Sequence, residues 1–237
     1  MLKKLVTIGG GRIKGWNFDT KDSNQEIYET ENIDKEIVKL AEKENPKLLF
    51  IGTASRENPI YFNAIKDIYE NLGCIVECLE IINNNEIGKI KEKVLSTDII
   101  YIGGGNTRFM LQEWERVGLK EILLEAYNKG IVMSGFSAGT YCWFKYNYEL
   151  IKGFDLINAI VCVHYNEKSE EKKKQFFEVI KNNNMIGIAL DNGTALEIID
   201  NKFKVIKSIE NANAYIIKFT NGEIEVKKIE EKDYYIN

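Results

Sequence analysis

Gly130-Ile131-Val132-Met133-Ser134-Gly135-Phe136-Ser137-Ala138-Gly139-Thr140 is a short apolar run that ends in a cramped corner of small residues around Ser137. Within it, Gly135-Phe136-Ser137-Ala138-Gly139 fits G-x-S-x-G, a turn in which a strand bends sharply into a helix and lifts a serine hydroxyl above a sheet. A turn that tight brings backbone against backbone, so side chains two residues either side of the serine would collide with neighbouring segments. Ile131-Val132-Met133 supplies the strand before the turn, and Thr140 to Phe144 can continue as the helix after it. The same pattern also suits a strand-to-helix connection that carries no chemistry.

Outward from that corner, apolar runs alternate with segments of helical spacing. Lys4–Gly9, Lys47–Ala54, Cys74–Leu79 and Asp98–Ile102 read as strands, separated by helix-length stretches such as the one carrying Ile33, Ile37, Leu40 and Ala41. Such alternation argues for crossover connections and a mostly parallel sheet covered by helices on both faces, an α/β architecture. Ligand sites in these sheets gather beyond the carboxyl ends of the strands. The connections to watch are therefore Gly9–Gly11, Ala54–Asn58, Gly103–Arg108 and the turn at Ser137. Residues 12 to 31 read as a polar, aperiodic surface loop. Met185–Leu190 and Ala195–Ile199 read as strands joined through an Asp191-Asn192-Gly193-Thr194 turn, followed by short antiparallel C-terminal strands with a hairpin at Asn221-Gly222.

With 237 residues, 44% of them hydrophobic, and only Pro46 and Pro59 as prolines, the chain reads as a single domain over residues 1–237. The net charge of −4 is spread along the chain, with no basic stripe, so a nucleic-acid partner is not expected. No stretch approaches the roughly 20 apolar residues needed to cross a bilayer, and the Met1–Gly9 run is too short for a secretory signal. Cys74, Cys78, Cys142 and Cys162 lack C-x-x-C spacing, which suits reduced thiols in a cytoplasmic protein. With one histidine in the chain and no ligand spacing around it, no metal site is expected.

Gly103-Gly104-Gly105-Asn106-Thr107 follows a strand and precedes a helix, and a glycine loop in that place presents open backbone N–H groups to a developing negative charge. The natural oxyanion donors for acyl transfer at Ser137 are the amides of Ala138 and Gly105. Asn106 is suited both to substrate contact and to capping the helix. His164, the only imidazole, follows the strand Ala159–Val163, so a histidine base serving Ser137 must be His164.

Gly103-Gly-Gly-Asn-Thr107, Gly135-Phe-Ser-Ala-Gly139 and His164-Tyr165 together resemble peptidase family S51, which includes dipeptidase E and cyanophycinase and is similar in fold to class I glutamine amidotransferases. The resemblance runs from the first strand to about Leu196. It implies a three-layer α/β/α sandwich, Ser137 as nucleophile, His164 as base, and Gly105 and Ala138 as oxyanion donors. For the triad acid it implies Asp191 from the Asp191-Asn-Gly-Thr-Ala195 turn, or Glu149 or Asp155 if the dipeptidase E arrangement applies. Arg56 and Arg108, at the sheet's ligand end, are candidates to bind a substrate carboxylate. The implied function is a cofactor-independent cytoplasmic serine peptidase for small peptides, with the oligomeric state left open, a homodimer included. The alternative is a member of the fold that binds a small molecule or peptide without catalysis. Amidotransfer is disfavoured because that chemistry in this fold uses cysteine at the elbow.

Overall fold

The computed structural model describes residues 1–230 and, beyond them, the backbone of Tyr234 and Tyr235. In chain order the elements are β1 (Lys4–Ile8), α1 (Glu31–Leu40), β2 (Lys47–Ile51), α2 (Pro59–Asn71), β3 (Ile75–Leu79), α3 (Ile87–Leu95), β4 (Ile99–Ile102), α4 (Thr107–Val117), α5 (Leu119–Asn128), β5 (Val132–Phe136), α6 (Ala138–Tyr141), β6 (Phe144–Asn147), β7 (Ile157–Val163), α7 (Glu170–Asn183), β8 (Gly187–Leu190), β9 (Thr194–Ile199), β10 (Lys202–Lys207), β11 (Ala214–Thr220), β12 (Glu223–Lys228) and β13 (Tyr234–Tyr235). Among the described residues no helix is long and apolar enough to cross a membrane.

The larger sheet has the order β13-β10-β9-β1-β5-β4-β2-β3. Its β1, β5, β4, β2 and β3 are mutually parallel, while β9, β10 and β13 continue it antiparallel. The strand side chains alternate between two cores, as the pleat requires. Val6, Ile8, Leu48, Phe50, Ile99 and Tyr101 face α1 and α2. Leu5, Leu49, Ile51, Ile100 and Ile102 face the layer that contains α3, α4 and α5. That is the α/β/α sandwich expected from the alternation, and its third layer is shared with a second sheet, ordered β12-β11-β8-β7-β6. Val161, Val163, Ile188 and Leu190 of that sheet join the same core as α3 to α5. Its other face, with Ile160, Cys162 and Ala189, is covered by Phe176 and Ile180 of α7.

Local chemistry explains several boundaries. Asn58 caps α2, with Pro59 as the first helical residue, and Asn106 and Ser169 cap α4 and α7 through their side chains. The hairpin at Asn221-Gly222 is present, with both residues at positive φ as a two-residue turn between twisted strands requires.

Asp191-Asn192-Gly193-Thr194 is the expected turn, closed by the Thr194 N–H on Asp191 O (3.3 Å), and it carries the chain from β8 in the small sheet to β9 in the large one. Two expectations differ from the structure. The segment from 12 to 31 is not merely a surface loop, because Ile13 and Trp16 are buried, with Trp16 stacked on Tyr61 and Phe18 stacked on Phe136. The helix after Ser137 is a single turn, since Phe144 already pairs with Ile157 in the small sheet. Cys74, Cys142 and Cys162 are buried and all four cysteines are free thiols.

Candidate active site

The two sheets meet at Gly9. Its carbonyl accepts the N–H of His164 (2.8 Å) from the end of β7, and its N–H donates to Thr194 O (2.8 Å) at the start of β9. Ser137, from the end of β5, donates its N–H to Ile8 O (3.2 Å) at the end of the adjacent β1. Strand ends of both sheets therefore converge on one point, as expected of this architecture.

At the elbow, Ser137 has φ 52° and ψ −105°, a strained backbone for a residue with a side chain. The surroundings hold it there. A Cβ on Gly135 would lie 2.1 Å from Gly139 O, and one on Gly139 would lie 2.2 Å from Ile102 O, so both glycines are required by close backbone approach. Buried Thr140 pins the turn with its hydroxyl, which lies 2.7 Å from Ile8 O and 2.6 Å from Gly135 O.

Ser137 Oγ stands 2.9 Å from His164 Nε2, and His164 Nδ1 stands 2.7 Å from Asn192 Oδ1. The tautomer follows from the next link. Asn192 Nδ2 donates to Glu167 Oε1 at 2.7 Å, and a carboxylate accepts only, so the amide nitrogen must face Glu167 and the amide oxygen must face the imidazole. His164 then carries its proton on Nδ1, which leaves Nε2 free to accept from Ser137. Asn192 is fixed further by its own N–H, which donates to Asn166 Oδ1 (2.9 Å). Burial holds the imidazole below its ordinary pKa of 6.5; the Asn192 contact opposes this, Lys168 adds to it, and Glu167 opposes it. At neutral pH the ring is accordingly a neutral base.

Asp191, expected as the acid on the imidazole, does not occupy that place. Its Oδ2 accepts the N–H of Asn213 (2.9 Å) and its own N–H donates to Asn213 O (3.0 Å), clamping the inter-sheet crossing to the segment before β11. In the turn that follows β8, closed by the Thr194 N–H on Asp191 O (3.3 Å), it is the Asn192 side chain that reaches His164. The Asp191 carboxyl is pushed up by burial, and its Oδ1 is buried without a hydrogen-bond partner among the described residues. Glu149 lines a separate recess of about 330 Å³ with Gly105, Asn106, Arg108 and Tyr148. Asp155 lies between β6 and β7, its N–H directed at Phe144 O.

Ala138 opens α6, so its N–H has no acceptor within the helix and is placed directly beside Ser137. Gly105 lies between Gly104, whose N–H meets the Tyr61 hydroxyl at 3.2 Å, and Asn106, whose N–H donates to Ala54 O at 2.8 Å. Asn106 Oδ1 accepts from Phe109 N (2.9 Å) as the cap of α4, and its side of the loop still borders the recess. Arg108 lines that recess, whereas Arg56 stacks over the Phe109 ring at 4.1 Å and borders a different hollow with Glu57, Glu80 and Asn83. A second cleft of about 460 Å³ borders Asn192 and Glu167 and is lined by Arg12, Phe18, Glu29 and Asn166. Arg12 is held there by Glu29, whose Oε1 accepts from Nε (3.0 Å) and Nη2 (2.6 Å).

The residues to which the sequence reading gives no role at this site are Asn166, Glu167 and Asn192, while Gly10 lies in the Gly9–Gly11 connection that it singles out. The His164-x-x-Glu167 spacing was visible, but a search for an acid on the imidazole passes over an amide. Among the described residues no group of three or more histidine, cysteine, aspartate or glutamate side chains is placed to hold a metal ion.

The chain is 28% identical over 232 residues to the uncharacterized peptidase YgaJ of Bacillus subtilis, covering 94% of this chain and 95% of that one. It is 42% identical over 92 residues to the uncharacterized peptidase Lmo0363 of Listeria monocytogenes, covering 38% of this chain and 44% of that one. Among solved structures, a peptidase from an acI-B1 Actinobacterium superposes with a TM-score of 0.72 at 18% identity, over 100% of this chain and 98% of that one. A candidate peptidase E protein from Listeria monocytogenes EGD-e superposes with a TM-score of 0.64 at 22% identity, over 87% and 99%. These two likenesses are of fold. The sequence profile described as Peptidase family S51 matches residues 22–206, more than half of the chain, and the chain therefore belongs to peptidase family S51.

Proposed function

We propose that this peptidase is of the serine type and hydrolyses small peptides in the manner of dipeptidase E. The observation that carries the reading is the 2.9 Å contact between Ser137 Oγ and the unprotonated Nε2 of His164. Ser137 Oγ bonds to the substrate carbonyl carbon as its proton passes to Nε2. The carbonyl π pair moves onto oxygen, where the N–H groups of Gly105 and Ala138 receive it. Collapse breaks the C–N bond, and the proton on Nε2 goes to the leaving amine. Water then repeats the sequence on the acyl-serine, giving its proton to Nε2 and releasing the acid and the serine hydroxyl. A missing oxyanion donor would raise the barrier by roughly 3 kcal/mol.

Substrate size is argued from two recesses of about 330 and 460 Å³, one bordered by Gly105 and the other by Asn192, each sized for one or two residues. Both are edged by opposite charges, Arg108 with Glu149 and Arg12 with Glu29 and Glu167, which suits the ammonium and carboxylate ends of a short peptide. Cytoplasmic location is part of the same proposal, resting on the free thiols. A second reading, a non-catalytic binding protein, draws on the neutral amide of Asn192 where an acid is expected. Hydrolysis of a dipeptide panel that includes Asp-X and β-aspartyl peptides, followed by amine release, tests the proposal. Cleavage that disappears in Ser137→Ala supports it, and a folded protein that binds but cleaves none of the panel favours the second reading.

A further inference from the structure

We propose that Glu167 is a positioning residue that fixes the Asn192 amide and, through it, the tautomer and basicity of His164, so that the work of one triad acid is divided between an amide and a carboxylate. The inference deepens the serine-peptidase reading and rests on it for its catalytic consequence.

The observations are geometric. An amide on Nδ1 can orient an imidazole, but it has no charge to offset the imidazolium that forms when Ser137 gives up its proton. It can also flip, and the flipped amide would present Nδ2–H to Nδ1, forcing the proton to Nε2 and removing the base. Glu167 closes off that alternative. Its Oε1 accepts Asn192 Nδ2 at 2.7 Å, a charge-assisted bond that a flipped amide, presenting oxygen to a carboxylate, would turn into repulsion. Its second oxygen stands 3.9 Å from His164 Nδ1, within range for charge stabilisation of the imidazolium. The arrangement is local to one turn: Tyr165–Glu167 form a short 3-10 segment, so the histidine and the glutamate three residues on lie on the same side and embrace the amide of Asn192. The other groups facing the imidazole are Ser137 from β5, the Phe136 ring at 6.5 Å between centroids, and the backbone of Gly10 beneath it. Lys168 is the nearby cation, acting against the imidazolium, and Arg12 across the cleft is engaged by Glu29. Glu167 is thus the carboxylate set to oppose Lys168. Its side chain is 63% exposed, so its charge is partly screened by solvent and the expected effect is moderate.

His164 is the only histidine, so one set of imidazole NMR signals reports its titration without assignment and without any substrate. In Glu167→Gln, which keeps an acceptor for Asn192 Nδ2 and loses the charge, the imidazole midpoint should fall by about 0.5 to 1 pH unit. Glu167→Ala, which also frees the amide, should move it at least as far and lower kcat more than it raises KM. The double variant Glu167→Gln, Asn192→Asp returns the charge to Nδ1 and should restore or exceed the parent midpoint and recover kcat relative to Glu167→Gln. A midpoint unchanged in both single Glu167 variants overturns the proposal. Parent protein that neither cleaves peptides nor reacts at Ser137, yet shows a Glu167-dependent midpoint, removes the peptidase reading and keeps the control of His164 by Glu167.

Discussion

A methyl group on Gly10 would stand 2.3 Å from both Cε1 and Nδ1 of His164, so the imidazole rests directly on the backbone of the first strand's exit. It would also stand 2.4 Å from Asn192 Oδ1. The glycine triplet after β1 thereby acquires a role: it makes the room in which His164 and Asn192 meet.

Gly10→Ala is therefore expected to displace the imidazole from Ser137 and lower kcat/KM by about 10²-fold, since misplacements of the order of 1 Å have that effect. The φ of 135° at Gly10 adds backbone strain to the substitution. Steady-state kinetics alongside a thermal melt check it, and the loss should far exceed any change explained by unfolding.

Asn192 and its neighbour Asp191 should separate cleanly. Asn192→Ala leaves Nδ1 without its acceptor and should lower kcat by about 10²-fold or more with little change in stability. Asp191→Ala leaves the part-buried N–H of Asn213 without its acceptor and should lower stability by about 1–2 kcal/mol, with kcat nearly retained in the folded fraction. Urea unfolding and kcat measured on both variants decide between these assignments, and a reversed pattern would return Asp191 to the site.

The pH dependence of kcat/KM should rise to a plateau with a midpoint below 6.5, because burial lowers the pKa of His164 and the neutral ring is the active base. The same shift affects stability with a defined sign. The unfolded chain takes up the proton at a higher pH than the folded one, so this group's contribution falls as pH drops through the unfolded value and levels off below the folded one. A pH–rate profile on any cleaved peptide checks the first statement.

Asp34 gives a second, opposite pH signature. It is a buried residue of α1, accepts from the hydroxyls of Tyr69 (2.7 Å), Thr30 (2.7 Å) and Tyr28 (2.9 Å), and is raised by burial to about 6. The folded state thus holds this proton up to about pH 6 while the unfolded state releases it near 3.8. The stabilising contribution is complete below the unfolded value and is lost as pH rises through the folded one, an effect on the order of 3 kcal/mol. Asp34→Asn should flatten the stability profile across that window, as followed by urea unfolding at several pH values.

Much of this was legible in the sequence because it is written in short-range chemistry. The small residues flanking Ser137 announce the elbow, Gly103-Gly104-Gly105 ends a strand before the Asn106 cap, and a lone histidine leaves one choice of base. What was not legible depends on long-range placement. The Asp191-Asn192-Gly193 stretch reads as a turn and is one, yet it bridges two sheets, and nothing local to it says that β8 pairs with β7 and β11 while β9 pairs with β1. Which of Asp191 and Asn192 faces His164 is settled by that crossing. The placement of Trp16 and Phe18 is similarly set by the rings they stack on, Tyr61 and Phe136, which lie far along the chain.

The central claim is that His164 activates Ser137 as a nucleophile, and reaction of the folded protein with a fluorophosphonate, read by intact mass and peptide mapping, tests it most directly. The account predicts one adduct, on Ser137, absent in Ser137→Ala and formed far more slowly in His164→Ala. A folded parent that stays unmodified, or an adduct that persists in Ser137→Ala, would contradict it.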